Sequence, residues 1–161
     1  MRLIMVFIVL TLFPAGGVFA NGMGFTDNGT NFTVPVANVG IGTTGPRQKL
    51  EINNTAAFSS EYDNGNSGTS KTIDWNNGNK QKITLTGNCT LTFTAPAGGV
   101  GNYQLLVIQD GTGSRTLTWP GTVKWAGGVA STLTLTAAGV DIISFYYNGT
   151  NYYACAALGF N

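Results

Sequence analysis

The chain has 161 residues, of which eight are Lys or Arg, seven are Asp or Glu and none is His, and only 9% carry charge. Ordinary soluble domains are roughly a quarter charged, so solubility here must rest on Thr, Asn, Ser and Gly. Balanced charge leaves no basic surplus to draw nucleic acid or an anionic membrane surface, and the lack of imidazole removes Ser-His-Asp and Cys-His catalysis and histidine-based metal sites.

Arg2 precedes an apolar run from Leu3 to Phe13, and Pro14, two glycines and Val18-Phe19-Ala20 follow. A basic start, a short apolar core and small residues at the end describe a secretory signal over residues 1–20. The core is too short to span a bilayer, which takes roughly 20 apolar residues. The mature chain is therefore expected to start at Asn21, to be secreted to the extracellular space or cell surface, and to keep no membrane contact after cleavage. About 140 residues remain (161 − 20), enough for one core-bearing domain plus an extension.

Residues 21–70 read as an extended N-terminal arm and joint. Asn21–Thr30 is rich in Gly and Asn. Phe32, Val34 and Val36 share one face of a short strand pattern, but Pro35 lacks a backbone donor and restricts it to an edge or an arm. Asn38–Ile52 reads NVGIGTTGPRQKLEI. Its alternating glycines suggest a phosphate cradle, but no Gly-Lys-Ser/Thr opens a helix there. The alternation of Gln48, Leu50 and Ile52 signals a strand instead. Phe32, Val34, Val36, Val39 and Ile41 are the candidate anchors of the arm, which would add a strand to a neighbour's open sheet edge. Asn53–Ser70 loses periodicity, and YDNGNSGTS within it reads as a loop.

Residues 71–161 carry short alternating or apolar runs: KTIDW, KQKITLT, CTLTFT, YQLLVIQD, SRTLTW, TVKW, TLTLT, VDIISFYY and NYYACAALGF. Glycine and asparagine turns separate them. This spacing predicts an all-β fold, an antiparallel β-sandwich of jelly-roll type. Ile83, Leu85, Cys89, Leu91 and Phe93 share the inward parity, with threonines outward. Tyr146 to Tyr153 reads as a hairpin turning on Asn148-Gly149. Tyr103–Ile108 and Ile142–Tyr147 are apolar on both faces, so a second sheet or another subunit must cover them.

Cys89 and Cys155 in an exported chain make a disulfide the first expectation; buried free thiols and a link between subunits are the alternatives. Trp75, Trp119, Trp125, Tyr146, Tyr147, Tyr152 and Tyr153 are candidate sugar platforms or interface aromatics. Alternation turns one member of each tyrosine pair inward. Asp74, Asp110 and Asp141 fall at strand ends, where a pair facing across a sugar would suit a glycosidase. Turn capping or pairing with Arg115, Lys82 or Lys124 explains them more simply, and Arg115 is within reach of Asp110 across its hairpin. The loops Asp27-Asn28-Gly29 and Asp63–Asn66 lack calcium-loop spacing. No catalytic residue, metal or cofactor is expected.

NVGIGTTGPRQKLEI resembles the VGIGTT-x-P-x-x-K-L joint of phage tail fibres and related trimeric surface proteins, with Gly45 where serine is usual. Ile73–Phe160, through IDWNNGNKQKITLTGN, QDGTGSRTLTWP, VKWAGG and DIISFYYNGTNYY, resembles a β-rich module of phage-type fibre proteins. The resemblance implies a fibre building block with no enzymatic activity. Phage fibres assemble in the cytoplasm without a secretion signal, so the leader here implies use by a cell at its own surface. The expected role is a secreted structural subunit of an extracellular fibre or filament, partnered by itself as a homo-polymer or homotrimer, with adhesion as an added role. The alternative is a secreted carbohydrate-binding module that takes surface glycans on its Trp and Tyr side chains.

Overall fold

The computed structural model describes residues 38–160, together with the short strands β1 (Thr26–Asp27) and β2 (Phe32–Thr33). The expected leader, residues 1–20, and the candidate anchors Val34 and Val36 lie outside the described residues. β1 and β2 pair antiparallel, with Asp27 opposite Phe32. The chain forms two compact units, Met1–Ala57 and Phe58–Asn161.

In the first unit, β3 (Val39–Ile41) and β4 (Leu50–Ile52) pair in parallel. The Val39 N–H donates to the Lys49 carbonyl at 2.8 Å, and the Asn53 N–H to the Ile41 carbonyl at 2.8 Å. The segment between them folds back tightly, which explains the alternating glycines. A Cβ on Gly40 would lie 2.5 Å from the Thr43 carbonyl oxygen, and Gly42, at φ +73°, would place one 2.9 Å from that of Asn53. The amides of Asn38 and Asn53 close the loop on the carbonyls of Pro46 and Gly42, at 2.9 and 3.1 Å.

The second unit holds β5 (Tyr62–Asn66), β6 (Ser70–Asp74), β7 (Lys80–Leu85), β8 (Cys89–Thr94), β9 (Gly101–Gln109), β10 (Leu117–Thr118), β11 (Val123–Trp125), β12 (Val140–Tyr147) and β13 (Tyr152–Phe160). They form a six-stranded sheet in the order β11-β13-β12-β9-β7-β5 and a three-stranded sheet in the order β10-β8-β6. The β-rich, multi-stranded architecture matches expectation, but the antiparallel pairing is corrected. In this unit only β12 runs antiparallel to its neighbours, β9 and β13; the β5–β7, β7–β9, β6–β8, β8–β10 and β11–β13 ladders are all parallel.

The reason lies in the turns. From β5 to β10 each strand is followed by one in the other sheet, not by a hairpin partner. Strands two apart in sequence therefore lie side by side, and the strand between them supplies the crossover that parallel pairing needs. The result is a short two-sheet coil of solenoid type, extended by the β12–β13 hairpin. YDNGN, which reads as a loop by its turn residues, is the edge strand β5. Its turn chemistry survives as a register shift between Asp63 and Asn66, where Gly65 sits at φ +66° and donates its N–H to Asp63 Oδ1 at 2.7 Å.

Each corner brings backbone polar groups out of the ladders, and buried polar side chains meet them. Ser67 donates to the Gly68 carbonyl and accepts the Thr86 N–H at 3.1 Å. Gln81 bonds the carbonyls of Asp74 and Gly78 at 2.7 and 2.8 Å, and its oxygen accepts the Asn64 amide. Gln109 bonds the carbonyls of Arg115 and Thr134 at 2.9 and 2.8 Å and accepts the Arg115 N–H at 2.9 Å. Successive corners stack so closely that a Cβ on Gly87 would lie 3.2 Å from the Gly68 carbonyl oxygen.

Between the sheets, Ile73 and Leu91 from one meet Ile83, Leu85, Leu105, Val107, Ile143 and Phe145 from the other, all at most 2% exposed. One region of the core is aromatic. Trp75 meets Phe93 edge-on at 5.4 Å and Phe145 at 5.7 Å, and Tyr147 stacks on Tyr152 at 4.4 Å.

Gln109→Leu keeps the side-chain volume but leaves two carbonyls and one N–H unpaired. It is expected to lower unfolding stability by about 3 kcal/mol in urea titration, at 1–3 kcal/mol per stranded group with partial relaxation.

Candidate assembly face

Strand parity and register turn one set of side chains to the outer face of the six-stranded sheet. Across β13, β12 and β9 the rows are Phe160–Val140–Ile108, Ala157–Ile142–Leu106, Cys155–Ser144–Gln104 and Tyr153–Tyr146–Asn102. Two rows are wholly apolar, the third is polar, and the fourth carries two tyrosines whose rings lie 6.5 Å apart. The expectation that β9 and β12 are apolar on both faces is met: Leu105, Val107, Ile143, Phe145 and Tyr147 form the buried side, and Leu106, Ile108, Ile142 and Tyr146 the outer one. Phe160, Val140 and Ala157 complete that face beyond the residues singled out from sequence. Phe160 was hidden by a bulge between Val140 and Ile142, which reverses strand parity at the end of β13.

A cleft of about 450 Å³ crosses the aromatic margin of this face, between Phe58, Asn79, Asn102, Gln104, Tyr146 and Tyr153. Lys80 donates to the Gln104 amide oxygen beside it. At the β5 margin, Lys82 lies 3.4 Å from Glu61 and 3.6 Å from Asp63. The hydrogen bond to Glu61, with Asp63 beside it, raises the Lys82 pKa, so the ammonium stays charged. On β7, Lys82 pairs with Leu106 and Lys80 with Gln104, so charge adjoins the apolar rows in register at their β9 end.

The three-stranded sheet presents the opposite chemistry. Its outward positions include Ser70, Thr72, Thr90, Thr92, Thr94 and Thr118, all exposed, and Thr72 and Thr92 share a hydrogen bond of 2.7 Å between hydroxyls. Such a face needs no cover.

The remaining aromatic candidates divide by burial. Trp75, Tyr147 and Tyr152 are in the core, while Tyr146 and Tyr153 are about half exposed. Burial, with Tyr147 and Tyr103 beside it, pushes the Tyr152 phenol far above its usual range. Trp119 and Trp125 meet edge-on at 5.4 Å, half-buried near β10 and away from the tyrosine row. No single platform unites the tryptophans with the exposed tyrosines.

The cysteines are not joined, and the expected disulfide is corrected. Both thiols are free, with Cys89 in the core and Cys155 exposed. The odd-numbered positions of β13 point outward, so Cys155 lies on the far side of its sheet from Cys89. Burial raises the Cys89 pKa, keeping it a thiol.

The carboxylates serve the fold. Asp74 accepts the Asn76 N–H at 2.9 Å. Asp141, 2% exposed, accepts the N–H groups of Thr134 and Gly159. Asp110 accepts those of Thr112 and Gly113 and binds Arg115 at 3.0 Å, the pairing its sequence position suggests. Among the arm candidates, Val39 and Ile41 lie in the β3–β4 pair, and Ile41 is 55% exposed. Phe32 lies in β2, opposite Asp27.

Residues 66–152, more than half of the chain, match the family described as "Putative phage tail fibre C-terminal domain". No curated protein and no solved structure matches.

The Arg115 hydrogen bond, with the N–H groups of Gly113 and Thr112, holds the Asp110 carboxyl below the usual carboxylate range, against a smaller opposing effect of burial. A depressed folded pKa gives stability that is full above the unfolded value of about 4 and is lost as pH falls through the folded value. Asp110→Asn is therefore expected to melt below the wild type at neutral pH. Thermal melts should show that gap closing as pH drops below about 4.

Proposed function

Because the chain belongs to the phage tail fibre C-terminal domain family, we propose that this structural fibre subunit is exported and self-assembles through the outer face of its six-stranded sheet. The observation that carries the reading is the contrast between the unit's two outer faces. One presents hydroxyls suited to water. The other presents Phe160 and Ala157, exposed, beside the half-buried Val140, Ile108, Ile142 and Leu106 in adjoining rows. Extended apolar surface of this kind marks an association site, and a fibre provides the occupant: further copies of the same chain, as a homotrimer or a longer homo-polymer.

The role is structural, not catalytic. Asp74, Asp110 and Asp141, the carboxylates first considered for sugar cleavage, are each committed to backbone N–H groups. The N-terminal segment supports export and a link to neighbouring subunits. Its basic start, apolar core and small residues before Asn21 suit a cleaved leader, and the apolar positions at Phe32, Val34 and Val36 suit an arm that docks on a neighbour.

The face is tested by placing a charge in it. Ile142→Asp is expected to sediment as a folded monomer where the wild type sediments as an oligomer, and a maleimide should label Cys155 in the variant while the wild-type assembly protects it. A wild type that stays monomeric at high concentration, with Cys155 freely labelled, would refute the reading. N-terminal sequencing of the exported product should begin at Asn21; an intact Met1–Ala20 would remove the secretion claim.

A further inference from the structure

Parallel pairing sets the spacing of the hydroxyls on the three-stranded sheet. Register lines up Ser70, Thr90 and Thr118 in one row and Thr72 with Thr92 in the next, and Thr94 stands opposite Asp74 in a third. The six hydroxyl-bearing residues are all exposed. An antiparallel ladder would alternate close and distant pairs, whereas a parallel ladder is evenly spaced. β6 and β8 pair from Ser70 to Asp74 without a register shift, so no bulge interrupts the grid. Its repeat is about 4.8 Å between strands and about 6.6 Å between alternate residues along a strand.

The side chains of the grid are stiff and almost free of charge. The branched Cβ of Thr restricts χ1, and Thr72 and Thr92 hold each other through a hydroxyl–hydroxyl bond of 2.7 Å. That bond uses one of the pair's two hydroxyl hydrogens, so a donor and free lone pairs remain for a layer above. Asp74, the charged member, stands at a corner, with Oδ1 accepting the N–H and the amide of Asn76 at 2.9 and 2.8 Å. Lys71 falls on the opposite parity and reaches back to the Asn66 carbonyl.

We infer that this face binds the surface of ice. Crystalline water presents oxygen atoms in flat repeating rows, and their steps are close to the two repeats of the grid. Waters held on the threonines therefore fall near lattice positions and join the solid with little rearrangement. The methyl groups between the hydroxyls offer those waters no competing partner. Without charge inside the grid, no tightly organised ionic hydration shell breaks the lattice. A small solute gains little here, because liquid water serves each exposed hydroxyl equally well. An extended solid meets all of them at once. The grid lies on the other sheet from the apolar rows, so the inference does not depend on self-association.

The test measures ice recrystallisation and thermal hysteresis with the full-length protein. The wild type is expected to slow recrystallisation at micromolar concentration and to shape growing crystals into facets. Thr92→Lys sets a charge in the middle of the grid and should need about tenfold more protein for the same effect, the equivalent of one lost contact. Thr90→Lys repeats the probe one row away, so a folding failure in either variant leaves the other to decide. Circular dichroism and melting check that both are folded. Thr150→Lys, which sets the same charge on the exposed turn before β13, should leave the activity unchanged. An inactive wild type would overturn the proposal. So would folded Thr92→Lys or Thr90→Lys as active as the wild type, or a loss in Thr150→Lys equal to theirs.

Discussion

The second unit depends on satisfying backbone hydrogen bonds where the chain leaves one sheet for the other. A hairpin turn keeps its carbonyls near water or within its own ladder. A corner between stacked sheets brings them against the next turn of the coil, where an unpaired group costs about 1–3 kcal/mol. Ser67, Gln81 and Gln109 are each at most 3% exposed, and each bonds main chain at such a corner. Asp141 does the same where the segment before β12 meets the end of β13. The apolar core explains why the sheets attract each other, and these four side chains explain why this path of the chain is selected.

Much of the local structure was legible in the residues. Parity alone placed Ile83, Leu85, Cys89 and Leu91 in the core and turned the threonines out, because strand side chains alternate whatever the partner strand does. The Asp110–Arg115 pair was legible for a similar reason: its partners are five residues apart on one turn. Strand direction was not legible. A Gly-Asn turn suits a hairpin and a corner equally, and only the distant partner decides which forms. The signal that separates them is the polar residue at an inward position, Gln81 before Ile83 and Leu85, and Gln109 after Leu105 and Val107. In an open antiparallel sheet these glutamines would be misplaced; at a corner they are required.

The candidate face shows the same limit. Leu106, Ile142 and Tyr146 follow from alternation, but Phe160 does not, since a bulge shifts its parity by one. The disulfide expectation failed through geometry that spacing cannot express, with Cys89 facing the core and Cys155 facing away from it. What the sequence could not supply was the contrast between the two outer faces. A run such as CTLTFT shows threonine on one side of one strand. The assembled sheets show a hydroxyl surface opposite a largely apolar one, and the proposed self-association would use this polarity to give the unit an inside and an outside within a fibre.

The bulged edge strand β5 has a further consequence. Gly65 breaks the regular spacing of its donors and acceptors, and Glu61, Asp63 and Lys82 crowd the same margin with charge. Irregular, charged borders of this kind resist the addition of foreign strands. Copies held at high local density would therefore be steered away from merging main chain to main chain into cross-β aggregates. Growth, under the proposed self-assembly, would be left to side-chain contacts, which can be reversed and corrected, so that a mismatched neighbour could still leave.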